Sequence, residues 1–157
     1  MTDIINSLPK FIILVFSVIF HEVSHGYVAL WKGDTTARDS GRLTFNPVPH
    51  IDIFGTVVFP LLLLIMQTPF LFGWAKPVPI NAYRLPNPKK DMALIGASGP
   101  ASNILLAVII GIVLRLTAGG AAVLVQTLFF GVLINLVLAF FNLIPIFIRI
   151  FIFHVLY

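Results

Sequence analysis

The stretch Phe11-Ile12-Ile13-Leu14-Val15-Phe16-Ser17-Val18-Ile19-Phe20-His21-Glu22-Val23-Ser24-His25-Gly26-Tyr27-Val28-Ala29-Leu30-Trp31 is apolar except for a knot of ionisable groups in its second half. As a helix rising 1.5 Å per residue it is about 30 Å long, the thickness of the hydrocarbon core of a bilayer. Residues four apart share a helix face, with Cβ atoms about 6 Å apart, so His21 and His25 can aim imidazole nitrogens at one metal ion. Glu22 projects from the neighbouring face, where it can take a proton from a metal-bound water and later pass it to a leaving amine.

A lone histidine in an apolar helix is usually a satisfied core residue, and a lone buried glutamate is usually paired. Three ionisable groups in five positions are different, because each charge near the middle of a spanning helix costs roughly 2.5 to 3.5 kcal/mol on insertion scales. A divalent cation would compensate them, holding both imidazoles neutral and polarising a water within reach of Glu22. The zinc reading, with one Zn2+ ion on His21 and His25, therefore explains more than the core-histidine reading.

Composition supports the membrane setting independently. Hydrophobic residues make up 59% of the chain and charged residues 10%, with a mean hydropathy of +1.02, whereas soluble domains carry about 25% charged residues. Cysteine is absent, which excludes disulfides and thiolate ligands and leaves histidines and carboxylates to bind metal. A net charge of +4 reads as positive flanks at the bilayer surface and not as a nucleic-acid patch.

Four apolar runs approach the ~20 residues a bilayer core requires, at residues 11–31, 51–72, 92–114 and 121–144. The opening Met1 to Lys10 lacks a basic region and a small-residue cleavage site, so the first span is expected to remain in the mature protein. The second run is interrupted by Asp52, Gly55, Pro60, Gln67 and Pro69, and broken backbone at membrane depth needs a cover of protein or a water-filled cavity. Upstream of it, Gly41-Arg42-Leu43-Thr44-Phe45-Asn46-Pro47 has the alternation of a short strand ended by a turn, and a plain surface loop fits these residues equally well. Gly73 to Asn81, with two prolines two residues apart, reads as extended. In the third run Gly96 and Gly99 permit close helix approach, and Asn103 wants a partner, for which a substrate carbonyl or a developing oxyanion is one choice. The expected fold is an all-α membrane protein of about four transmembrane helices with a short membrane-associated strand or re-entrant segment. Residues 1–157 would form one multi-pass domain of the plasma membrane.

These segments together resemble the site-2 protease family of intramembrane zinc metalloproteases. The likeness rests on His21-Glu22-x-x-His25-Gly26, on Gly41 to Pro47, and on His50-Ile51-Asp52 leading to Phe54-Gly55. It continues through Gly73-Trp74-Ala75-Lys76-Pro77-Val78-Pro79, Gly99-Pro100-x-x-Asn103 and Phe141-Asn142-Leu143-Ile144-Pro145. The resemblance implies cleavage of a transmembrane segment of a membrane-protein substrate, with His21 and His25 as zinc ligands and Glu22 activating the water. It also implies a third ligand, an aspartate in a pattern reading roughly Pro-x-x-Pro-x-Asp-Gly. Here Pro145 is followed by Ile146-Phe147-Ile148-Arg149-Ile150-Phe151-Ile152-Phe153-His154-Val155-Leu156-Tyr157, with no aspartate, glycine or second proline.

Three explanations of that departure stand side by side. The tail is the product of a frameshift after Pro145, or another residue substitutes, with His154, Asp52 and His50 the candidates in that order, or the chain is an inactive relative that binds without cutting. The motif lies about 10 Å along the helix from Lys32, so water and substrate should reach it from the side of the loop between Lys32 and His50. The resemblance makes that side cytoplasmic. With four crossings, Lys32, Arg38, Arg42 and Arg115 would share it against Lys10, Lys76, Arg84, Lys89, Lys90 and Arg149, which argues the other way. A membrane metal transporter and an inert scaffold are the readings from other classes, and the oligomeric state is not set by these residues.

Overall fold

The computed structural model describes residues 2–67, 74–117 and 119–156, of which 2–7, 60, 64 and 145–156 are described by their backbone alone. It is helical, and among the described residues there is no strand. Helix α1 spans Thr2–Trp31, α2 Thr36–Asp39, α3 Phe59–Ile65, α4 Pro88–Leu116 and α5 Ala122–Leu156, with a wide π-type turn at Ile53–Val58 leading into α3. Leu8–Trp31, Pro88–Leu116 and Ala122–Ile144 are long and apolar enough to cross a membrane. Among the described residues the protein is thus all-helical with three candidate spans, and α1, α4 and α5 pack together as a bundle.

The second expected span, 51–72, takes a different form. Its described part is the π-type turn and α3, where Asp52 caps the start by accepting from Gly55 N at 2.6 Å. Pro60 has no N–H with which to bond the carbonyl of Thr56, which favours a wider turn there. Residues 68–72 lie outside the described ones. The ends of the segment are more telling than its interior. Lys32, just past the end of α1, pairs with Asp91 at the start of α4 at 3.1 Å. Arg84 reaches Thr35 at 2.9 Å and Asp39 at 3.8 Å. Helices α1 and α4 are therefore antiparallel, and the chain between them leaves and rejoins the same end of the bundle. The alternating arrangement expected of four crossings would have put Lys32 and Asp91 on opposite sides.

The expected strand at Gly41 to Pro47 is a loop. Phe45 turns back along α1 and stacks on Phe16 and Phe20, with ring centroids 6.1 and 6.0 Å away. Its backbone finds local partners and not a ladder: Asn46 N donates to Thr44 Oγ1 at 3.1 Å, and Arg42 N donates to Ala37 O at 2.9 Å.

Sequence explains where α1 stops. Gly33 adopts φ +102°, a conformation glycine takes without Cβ strain, so Gly33 N can return to Leu30 O at 3.0 Å and Asp34 N to Ala29 O at 2.9 Å. That turn buries Asp34 completely. Its carboxylate accepts from Thr36 N at 3.0 Å, from the Thr36 hydroxyl, and from Asn81 N at 2.6 Å, fastening the segment 74–81 to the end of α1. Burial alone would push the Asp34 carboxyl up, but the donors from Thr36 and Asn81, helped by Arg84, outweigh it and hold it below the usual carboxylate range. A depressed folded value contributes stability above the unfolded pKa of about 3.9 and loses it as pH falls through the folded value. Asp34→Asn places N–H against N–H and should cost about 1–3 kcal/mol at neutral pH. Thermal unfolding in lipid nanodiscs should show that loss at pH 7 and a smaller acid-induced drop below about pH 4 than in the wild type. Equal stability at pH 7 would show that the lock at Asp34 carries no load.

Candidate metal centre

Ser17, His21 and His25 recur every four residues on α1 and meet α4 and α5, while Glu22 and Gly26 form the adjoining stripe and meet the loops. His21 Nδ1 bonds Asn103 Oδ1 on α4, and His25 Nδ1 bonds the backbone oxygen of Ile95 at 2.6 Å. Carbonyl oxygens only accept, so both Nδ1 atoms carry hydrogen and both Nε2 atoms present lone pairs. Those two Nε2 atoms lie 3.0 Å apart, with the rings nearly perpendicular at 89°. In the neutral rings two lone pairs at that distance cannot bond each other, and a proton or a metal ion between them would relieve the repulsion.

Gly99 provides the room. A Cβ at this position would come within 2.5 Å of His21 Nε2 and of His25 Nε2. A zinc ion sits about 2.0–2.1 Å from an imidazole nitrogen, so the absent side chain leaves open the space a shared ion would use. The donors therefore fit zinc as far as two ligands. Among the described residues, no group of three His, Asp, Glu or Cys side chains is placed to hold a metal.

The other sequence candidates are placed as follows. Asp52 uses its carboxylate as the cap on Gly55, and His50 is buried with Nε2 on Thr44 O at 2.9 Å. The side chain of His154 lies outside the described residues. Asn103 is fully buried behind His21, with Oδ1 on the imidazole and Nδ2 on Asn135 Oδ1 at 2.8 Å and Ser17 O at 3.4 Å. Both its donor and its acceptor are engaged inside the bundle.

Glu22 meets the segment 74–81. Its Oε2 accepts from Val78 N at 2.9 Å. That segment is held by buried Arg42, whose Nη2 donates to Lys76 O at 2.6 Å and Pro77 O at 3.2 Å. Gly26 allows the closeness, since a Cβ there would meet Leu43 Cδ2 at 2.4 Å and Val78 Cγ1 at 3.0 Å. The three motif side chains thus have separate surroundings, the imidazoles facing the helices and the carboxylate facing the loops.

Over 150 residues the chain is 37% identical to a protein of Bacillus subtilis (strain 168) named "Putative zinc metalloprotease YwhC", in an alignment covering 90% of this chain and 65% of that protein. The chain spans less than two thirds of that relative's length. No family model matches the chain, and no solved structure does.

Sequence reasoning passed over several residues that build this centre. Ser17 carried no signal beyond its i, i+4 relation to His21, which was available. Asn135 offered no signal beyond being an amide in an apolar run. Gly99 read as a helix-packing glycine, because nothing local says that its neighbours are two imidazole rings.

Proposed function

We propose that this chain is an intramembrane zinc metalloendopeptidase of the site-2 protease type, hydrolysing peptide bonds in or near transmembrane segments of membrane-protein substrates. The observation that carries the reading is the pair of opposed Nε2 lone pairs over the open face of Gly99. The name of the Bacillus relative supports the same chemistry.

In this reading His21 and His25 hold one zinc ion, whose contribution is to polarise the scissile carbonyl and to make water acidic near neutral pH. Val78 N–H fixes Glu22 Oε2, leaving Oε1 to face the attacking water and accept its proton. The same carboxyl then gives the proton to the departing amine nitrogen. Ile95 O and Asn103 Oδ1 hold the two rings in the orientation that binding needs, as acceptors behind metal-binding histidines do.

Water access is supported by the loop at Gly41 to Pro47, which carries non-helical backbone back to the level of Phe16 and Phe20. Such backbone at membrane depth requires protein cover or water. Lys32, Arg38, Arg84, Lys89 and Lys90 all lie at the loop end of the bundle, with Lys10 and Arg115 toward the other. The positive-inside rule then favours a cytoplasmic loop end, and the proposed bilayer is the plasma membrane.

Two ligands and water hold zinc less firmly than three, since catalytic sites normally use three protein ligands and one open position. That favours a second reading, a relative that binds metal or substrate without cutting. A metal transporter fits less well, because Asn103 and Asn135 spend their polar atoms on each other and on Ser17. Co-reconstitution with a single-span substrate in vesicles loaded with a zinc-sensitive dye separates the three. The proposal expects a zinc-dependent fragment from the wild type, none from His25→Ala, and no dye response. A dye response without cleavage would establish transport, and zinc binding with neither would establish the inactive relative.

A further inference from the structure

The metal pair rests on the hydrogen of His21 residing on Nδ1, and that depends on which way the Asn103 amide points. On α1 the backbone oxygen of Ser17, 3.4 Å from Asn103 Nδ2, bears on it only through a long contact. Rotating the amide would turn its NH2 toward His21, draw the ring hydrogen to Nε2, and remove the lone pair.

The answer lies on α5. Asn135 is fully buried, and its Nδ2 donates to Gly131 O at 2.8 Å and to Ser17 Oγ at 2.8 Å. Gly131 O is a backbone carbonyl and can only accept, so Asn135 must present Oδ1 on its other side. Asn135 Oδ1 accepts from Asn103 Nδ2 at 2.8 Å, which turns Asn103 Oδ1 toward His21. Ser17 O, also a backbone carbonyl, backs the same choice at 3.4 Å. A polarity set by one peptide carbonyl on α5 is handed through two amides to the imidazole on α1.

We infer that Asn135 is a positioning residue of the metal centre, fixing through Asn103 the tautomer in which His21 offers Nε2 to zinc, and that Asn103 serves this relay and not the oxyanion. The inference rests on the metal reading for its purpose but not for its test. Each member has a defined part. Gly131 O and Ser17 O anchor the direction, Asn135 and Asn103 pass it on, and the Ser17 hydroxyl satisfies the second hydrogen of Asn135. Buried amide networks of this kind are strong and specify one arrangement when every member is satisfied.

The test is nitrogen NMR of the metal-free full chain, labelled at histidine nitrogens, in lipid nanodiscs, with His21 assigned by His21→Ala. The wild type should show a single His21 tautomer with hydrogen on Nδ1. Asn135→Leu, which keeps the branching at Cγ and removes the hydrogen-bonding atoms, should give a mixture or the Nε2–H form, and zinc affinity by chelator competition should fall about 10- to 100-fold. Ser17→Ala should keep the Nδ1–H form, because Gly131 O still orients Asn135. A wild-type His21 with hydrogen on Nε2 overturns the inference whether or not Asn135→Leu folds. An unchanged tautomer and zinc affinity in folded Asn135→Leu overturns it as well. Failure of the metal reading is seen separately, as a wild type with the expected tautomer that binds no zinc.

Discussion

Gly99→Ala is expected to empty the metal centre while leaving the helical bundle assembled. The new Cβ would stand 2.5 Å from both Nε2 atoms and from His25 Cε1, closer than carbon and nitrogen tolerate. Relief by ring rotation is costly, because His21 Nδ1 is tied to Asn103 and His25 Nδ1 to Ile95 O. Relief by moving α4 away from α1 would break those same bonds. Whichever gives way, the methyl occupies the space where a shared ion would lie. Zinc affinity should drop by at least the ~100-fold that lost second-layer support causes, with cleavage lost in parallel. The helix should survive, since alanine is the better helix former by about 1 kcal/mol. Gly99→Ala with full zinc occupancy would mean that the ion sits elsewhere.

The second large effect is at Glu22, and it has the opposite signature. Glu22→Gln keeps the size of the side chain and leaves a carbonyl oxygen that can still accept from Val78 N, so the loop contact and both imidazoles should remain in place. What disappears is the group proposed to take and return a proton. General acid–base groups contribute about 10²- to 10⁴-fold, so cleavage of the single-span substrate should fall by that much with zinc content unchanged. Zinc retained and cleavage lost would separate the chemistry from the binding. Cleavage at the wild-type rate would remove Glu22 from the mechanism.

The contrast between these two positions shows what sequence patterning carries. The four-residue spacing of His21 and His25 put both imidazoles on one face, and the offset of Glu22 put it on the next, because both follow from the helical period alone. Three long apolar runs were equally plain from composition. The second apolar run was not, since hydropathy registers that residues 51–72 are apolar but not whether the chain crosses or turns back. That distinction is written in long-range pairs such as Lys32 with Asp91 and Asp34 with Asn81, whose members lie far apart in sequence. The alternation from Gly41 to Pro47 misled for a related reason: Phe45 is apolar because it packs on Phe16 and Phe20, not because a sheet face requires it. Asn103 was legible as a buried amide in need of partners, but the direction of its amide is decided by Gly131 and Asn135 on another helix. The carboxylates of Asp34 and Asp52 were visible as charges, and their work as acceptors for Asn81 and Gly55 backbone N–H groups was not.

The most direct measurement is the zinc content of the full chain in lipid nanodiscs, equilibrated with micromolar free zinc and compared with His21→Ala and His25→Ala. A shared site on the two imidazoles predicts about one ion per chain in the wild type and almost none in either variant. A wild type without zinc, or variants that keep it, would contradict the account, because the opposed Nε2 lone pairs beside Gly99 would then have no ion to hold.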